Sequence, residues 1–194
     1  PYTTLFRSYN VSRTPVKTAF LRLSSEKFIE IVPQKGTYVT LLDLDLIKEI
    51  IYMRTVLEST VIKDVFGKRN DELIDKLSNN LEKQKEMIER STIVEAREYY
   101  EIDSVFHSIC FDFAGKPKLW NIIEELDVYY TRFRMLDMVA VRPFDRLFEE
   151  HKELFEAIRE SNKKKLDEVL NRHLNGNINR LGDKVHNELK RFFI

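Results

Sequence analysis

From Leu41 onward the chain strings together long amphipathic stretches with short breaks and no convincing strand signal. Apolar residues spaced three and four apart put one stripe on each helix, and a stripe must be covered by a neighbour. The pattern predicts six helices. The first, about Asp43 to Phe66, carries Leu46, Ile50, Met53, Leu57 and Val61 on one face and stops near Gly67. The second, about Asp71 to Glu89, uses Leu73, Leu77, Leu81 and Ile88; the third, about Thr92 to Ala114, uses Tyr99, Ile102, Phe106, Ile109 and Phe113. Gly115 then ends a helix and Pro117 starts the next, the usual placement of these residues at helix ends. The fourth runs from about Pro117 to Ala140, the fifth from Pro143 to about Glu160, and the last over roughly Lys163 to Phe192. Short connections between such helices imply an all-α antiparallel bundle over residues 43–194.

The stretch Val11 to Val39 has a different grammar. Ser12 is a good N-cap and Pro15 suits a first turn, while Val16, Phe20 and Leu23 make one apolar stripe. Arg13, Thr14 and Lys17 cluster at the start of this helix, away from the stripe. Such a helix N-terminus can read base edges while its backbone N–H groups meet phosphate. Phe28, Ile29, Ile31 and Val32 then read as one strand and Tyr38-Val39 as its return, with Pro33-Gln34-Lys35-Gly36 as the turn. Lys35 and Gly36 place a cation and bare backbone at the tip, where they can approach a phosphate or minor groove.

These residues closely resemble the winged helix-turn-helix of the GntR family of transcriptional regulators. The resemblance rests on Ser12-Arg13-Thr14-Pro15-Val16, on Ala19 followed by Phe20 and Leu23, and on Pro33 with Gly36. It implies that Ser12, Arg13, Thr14 and Lys17 face operator DNA, with Lys35 and Gly36 at the wing tip. Thr18 stands where the family usually has Glu, and Lys27 where it usually has Gly before the first wing strand. The expected fold is therefore mainly α: a partial winged helix-turn-helix with a small β-hairpin wing over residues 9–40, followed by the helical bundle of about six helices. Residues 1–8, Pro1-Tyr2-Thr3-Thr4-Leu5-Phe6-Arg7-Ser8, are similar to the translation of a sequencing-library adapter and are expected to be non-native. The winged domain is expected to be truncated and to bind operator DNA poorly, with the bundle still competent.

Charge supports a nucleic-acid piece on another body. The 194 residues are neutral overall, yet residues 1–40 carry Arg7, Arg13, Lys17, Arg22, Lys27 and Lys35 against only Glu26 and Glu30, a net +4 balanced by −4 in the remainder. No apolar run or signal-peptide pattern points to a membrane, and the single cysteine, Cys110, suits a reducing cytoplasm.

Asp103 and His107 share one helical face at i and i+4, next to Tyr99, Phe106 and Cys110. His151 and His173 lie on apolar stripes of two further helices. Three imidazoles have little place in a hydrocarbon core, since each needs a hydrogen-bond partner. Either each is satisfied separately, or Asp103, His107, His151 and His173 converge as an N/O site for Zn²⁺, Ni²⁺ or Mn²⁺.

Residues from about Asp43 are also similar to the FCD ligand-binding domain that accompanies this winged helix in part of the family. The matching signatures are Arg54-x-x-x-Glu58, Asp103-x-x-Phe106-His107, Ala114-Gly115-x-Pro117-x-Leu119, Glu150-His151 with Ala157-Ile158, and His173-Leu174. The resemblance implies that Asp103, His107, His151 and His173 are the metal ligands, and six helices suggest the VanR-like subgroup. The implied function is a homodimeric DNA-binding regulator whose C-terminal domain senses a small organic acid. Arg54 offers a bidentate fork for such a carboxylate or, alternatively, an ion pair with Glu58. Arg132 and Arg134 are further cations without a placement. A metal-dependent enzyme would use the same ligands to activate water, but no nucleophile–base pair accompanies them. A metal-free helical interaction domain would use the histidines only for stability.

Overall fold

The computed structural model describes residues 12–90, 95–125 and 128–194. The expectations for residues 1–8, and for the helix start at Thr92, lie outside that range. An N-terminal helix, α1 (Arg13–Ser25), leads into a two-stranded antiparallel hairpin of β1 (Ile29–Val32) and β2 (Gly36–Val39). Ile29 faces Val39 and Val32 faces Gly36 across the hairpin. Pro33 and Gln34 occupy the turn, closed by the Lys35 amide donating to the Val32 carbonyl at 3.1 Å. Pro33 presets φ for the first central position, and Gln34 takes the left-handed φ of +62° at the second. Ser12 stands at the N-cap of α1 as expected, but its hydroxyl makes no capping bond.

The end of α1 explains one departure from the family pattern. The Lys27 amide donates to the Ser24 carbonyl at 3.1 Å and the Phe28 amide to the Leu23 carbonyl at 2.9 Å. This pair of bonds is a Schellman cap, which requires a left-handed residue between helix and strand. Lys27 is that residue, with φ +61°. A side chain there is strained, whereas glycine is not. Lys27→Gly is therefore expected to raise stability by up to about 1 kcal/mol, read as a higher midpoint in urea unfolding.

Beyond Thr40 the chain is helical: α2 (Leu44–Phe66), α3 (Asp71–Arg90), α4 (Ala96–Ala114), α5 (Pro117–Glu125), α6 (Val128–Ala140), α7 (Phe144–Glu160) and α8 (Lys163–Leu181). Side-chain caps set three of the starts. The Asp43 carboxylate accepts from the Asp45 and Leu46 amides, Asn70 from Leu73, and Asn162 from Lys165. Gly115, at φ +76°, closes α4 before Pro117 begins α5, as the sequence implied.

Three expectations need correction. The described residues of the span 117–140 form two helices, α5 and α6, both packed on α4 with α6 also on α2 and α8, so the bundle has seven helices among the described residues and the helix count gives no support to a VanR-like assignment. The last helix stops at Leu181 rather than Phe192, because Gly182 adopts φ +44° and ψ −130° and short 3₁₀ turns follow. The buried face of α2 is rotated from the expected Leu46–Ile50–Met53–Leu57–Val61 stripe, of which only Val61 is fully buried. Ile47, Ile51, Arg54, Glu58, Ile62 and Val65 point inward with it. A stripe chosen by hydrophobicity alone assigns charges to solvent, and here two charges belong to the interior.

Helices α2 and α4 form the middle of the bundle; α2 packs on α4, α6, α7 and α8, and α4 packs on α3, α5 and α6. The core runs through Ile47, Ile51, Leu73, Leu77, Phe106, Phe111, Phe133, Leu154, Leu166 and Leu170, each all but sealed from solvent. Burying a side chain of this size contributes about 1.5–3 kcal/mol, which lets the bundle hold a costly polar cluster at its centre. Among the described residues, no helix is long and apolar enough to cross a membrane.

Candidate metal centre

Six helices contribute to that cluster. Asp103 and His107 come from α4, His151 from α7 and His173 from α8, all buried, each offering a ligand atom within 4.8 Å of the others. His107 Nε2 and His173 Nε2 stand 3.3 Å apart, and His151 Nε2 lies 3.5 Å from Asp103 Oδ1. Ligands about 2.1 Å from one ion stand about 3.0–3.4 Å from each other in octahedral or tetrahedral shells, so this spacing fits a metal.

The outer nitrogens settle which atoms face inward. His151 Nδ1 is 2.8 Å from Gln84 Oε1, an oxygen that also accepts the Tyr99 hydroxyl at 3.1 Å, while Gln84 Nε2 donates to Asn80 Oδ1 at 2.7 Å. His173 Nδ1 is 3.1 Å from Glu150 Oε2, whose other oxygen accepts from Arg146 at 3.0 Å. His107 Nδ1 is 2.8 Å from Glu58 Oε2, a charge contact in which the ring N–H is not aimed along the line to the oxygen. Gln84 Oε1 and Glu150 Oε2 are acceptors, so His151 and His173 carry their protons on Nδ1 and present bare Nε2 lone pairs, and the Glu58 charge favours the same tautomer in His107. His107 Nε2 and His173 Nε2 face each other at 3.3 Å, and His151 Nε2 has no hydrogen-bond partner. A cation placed between them would satisfy all three, and histidine ligands in metal sites are held at their far nitrogen in this manner.

Electrostatics keep the candidate ligands in a form able to bind a cation. Burial drives His151 down to about 3, against the pull of Asp103, and burial lowers His173 well below the usual histidine value. Both rings are neutral at neutral pH. Burial works to raise the carboxyls of Asp103 and Glu58, but neighbouring cations prevail. Arg134 holds Asp103 well below the usual range, and Arg54 with His107 brings Glu58 to about 2. Burial also pushes the Cys110 thiol up to about 12, which makes it a small core residue rather than a ligand.

An acid dependence follows. The unfolded chain protonates these two histidines below 6.5, whereas burial in the folded chain keeps His151 neutral down to about 3 and His173 neutral well below 6.5. A depressed folded value means stability that is present above 6.5 and lost as pH falls. The depressed carboxyls of Asp103 and Glu58 act in the same direction at lower pH. The metal-free protein, held in chelator, is expected to show a melting temperature that declines steadily with pH through this window. A flat profile would contradict the burial of neutral imidazoles.

Other sequence candidates are placed as follows. Arg54 donates from Nε to Glu58 Oε1 at 2.7 Å and lies over the rings of Tyr130 and Trp120, so the ion-pair alternative for Arg54 is present. Arg134, left unplaced by the sequence, donates to Asp103 Oδ1 at 2.9 Å inside the centre. Ser12, Arg13, Thr14, Lys17, Lys35 and Gly36 are all exposed on α1 and the hairpin. Gln84 escaped the sequence reading, yet a signal was available: it interrupts the stripe Leu73, Leu77, Leu81, Ile88 at the one position where an apolar residue is missing. Glu150, beside His151 in sequence, and Glu58 were visible only as parts of a family signature.

Comparison with known proteins agrees with this architecture. Residues 49–176 match the FCD domain, and residues 3–39 match the bacterial regulatory proteins of the gntR family. The chain is 27% identical over 166 residues to the HTH-type transcriptional repressor RspR of Escherichia coli K12, covering 86% of this chain and 72% of that protein. It is 28% identical over 160 residues to the gluconate operon transcriptional repressor of Bacillus licheniformis, covering 80% of this chain and 64% of that one. Its fold is similar to the solved structure of E. coli McbR/YncC, with a TM-score of 0.69, 20% identity and coverage of 92% and 84% of the two chains. With a helical bundle that matches FCD over most of its length, joined to a gntR-type winged segment, this chain belongs to the FCD-domain regulators of the GntR family, which are DNA-binding transcriptional regulators and not enzymes.

Proposed function

We propose that the bundle of this regulator senses a small organic acid through a bound divalent metal, Zn²⁺, Ni²⁺ or Mn²⁺. The observation that carries this reading is the convergence of three imidazoles and one carboxylate, with the outer nitrogens of His151 and His173 held by Gln84 and Glu150. Asp103, His107, His151 and His173 would hold the ion. Bound there, it supplies coordination positions suited to the oxygens of a carboxylate or hydroxy acid. The chain adds donors of its own. Arg134 Nη1 and Asn177 Nδ2 are buried N–H groups without an acceptor, and an acid oxygen would satisfy them. Arg54 stands behind as a second cation, tied to Glu58. One relative is named for repressing a gluconate operon, and gluconate is an acid of this class.

On the DNA side, the exposed Ser12, Arg13, Thr14 and Lys17 would meet operator bases and phosphates, and Lys35 with Gly36 would reach the flanking backbone. We take the working form to be a cytoplasmic homodimer on a two-fold operator. The test is metal analysis of the purified protein, followed by thermal shifts with a panel of sugar and hydroxy acids, with and without chelator. The reading expects bound metal and an acid-dependent rise in melting temperature that chelator abolishes. Metal-free protein that takes up no Zn²⁺, Ni²⁺ or Mn²⁺ would refute it.

A further inference from the structure

Arg132 and Arg134 lie two residues apart on α6 and tie it to different parts of the molecule. Arg134 donates to Asp103 in the centre. Arg132 donates from Nη1 to Thr40 Oγ1 at 2.8 Å and from Nη2 to the Thr40 carbonyl. The Thr40 hydroxyl passes its own proton to the Lys27 carbonyl at 2.6 Å. Lys27 is the left-handed residue at which α1 turns into the hairpin. A chain of named bonds thus runs from the metal ligand Asp103, along one turn of α6, to the DNA-binding segment.

The linker is gripped a second time. The Leu42 amide donates to the Phe192 carbonyl at 2.7 Å, and the Ile194 amide donates to the Leu42 carbonyl at 3.0 Å. Residues 192–194 follow α8, which carries His173 and also Arg180, whose guanidinium binds Asp137 of α6 at 2.6 Å. Both grips on residues 40–42 therefore come from elements that contribute to the centre or buttress it.

We propose that α6 and residues 192–194 form the coupling element through which occupancy of the centre sets the position of the winged segment. The proposal rests on the metal reading above. Asp103 is the pivot, because a cation at the centre would draw charge from the carboxylate that holds Arg134 at 2.9 Å. Occupancy loosens the tie that positions α6, and Arg132 carries the change to Thr40. An occupant can shift such an element only through different affinity for its two arrangements, and the Asp103–Arg134 tie supplies that difference.

Amide hydrogen exchange over residues 40–42 and 190–194, with ZnCl₂ or chelator, tests this in the full chain, with Zn²⁺ affinity measured in parallel by calorimetry. In the wild type, Zn²⁺ is expected to change exchange at Leu42 and Ile194. Arg132→Ala and the shape-preserving Thr40→Val should still bind Zn²⁺ while that change shrinks about five-fold or more. Thr40→Ser, which keeps the hydroxyl, should restore it. If Zn²⁺ binds but exchange in the linker does not respond, or if both variants keep the full response, the coupling is wrong and the metal reading stands. If the wild type binds no Zn²⁺, the metal reading itself is wrong.

Discussion

Replacing His151 by alanine is expected to lower Zn²⁺ affinity by more than about 100-fold, since loss of an outer partner alone costs 10–100-fold and here a ligand atom goes. His151 is the sharpest choice because its Nε2 has no hydrogen bond to lose, so deletion disturbs no network on the inner side. On the outer side it frees Gln84, which keeps Tyr99 and Asn80 as partners. The ring also stacks on Phe106 at 4.5 Å, so the metal-free variant loses packing and melts lower. The two effects separate in one experiment: competition with a chromophoric chelator reads affinity, and melting in excess chelator reads the fold. Wild-type affinity in His151→Ala would show that the imidazoles converge for some reason other than a metal.

The largest stability effect is expected away from the ligands. Asp137 is sealed from solvent and accepts from Arg180 Nε at 3.1 Å and Nη2 at 2.6 Å, with the Arg180 side chain only 4% exposed. Asp137→Ala leaves that guanidinium buried without its counter-charge, at a cost of about 3–5 kcal/mol, whereas removing both charges should be far milder. The double variant Asp137→Leu with Arg180→Met is therefore expected to recover most of the loss in urea unfolding. A single variant as stable as the wild type would mean that water reaches Arg180, contrary to its burial.

Much of this architecture is legible in the sequence for local reasons. Asp43, Gly115 and Pro117 act through their own backbone chemistry, so helix ends set by them fell where expected. Asp103 and His107 are legible because a fixed helical spacing places them on one face. What the sequence hides depends on contacts made at a distance. Arg54 and Glu58 look like solvent-facing charges until His107 and Tyr130 give them a reason to turn inward. Arg134 has no local mark that distinguishes it from Arg132, yet one reaches the centre and the other the linker. The early end of α8 depends on a Gly182 conformation that hydrophobic periodicity does not encode.

Cys110 sits one turn from His107, fully enclosed, with its thiol held protonated by burial. A thiolate is needed for attack on any disulfide or maleimide reagent, and access is needed as well. The folded chain therefore carries a silent sulfhydryl that becomes reactive only when α4 leaves its neighbours. Labelling speed at this single position is a built-in clock for opening of the bundle, and anything that bridges α4, α7 and α8 should slow it. The same silence leaves every introduced surface cysteine as the sole point of attachment for a probe.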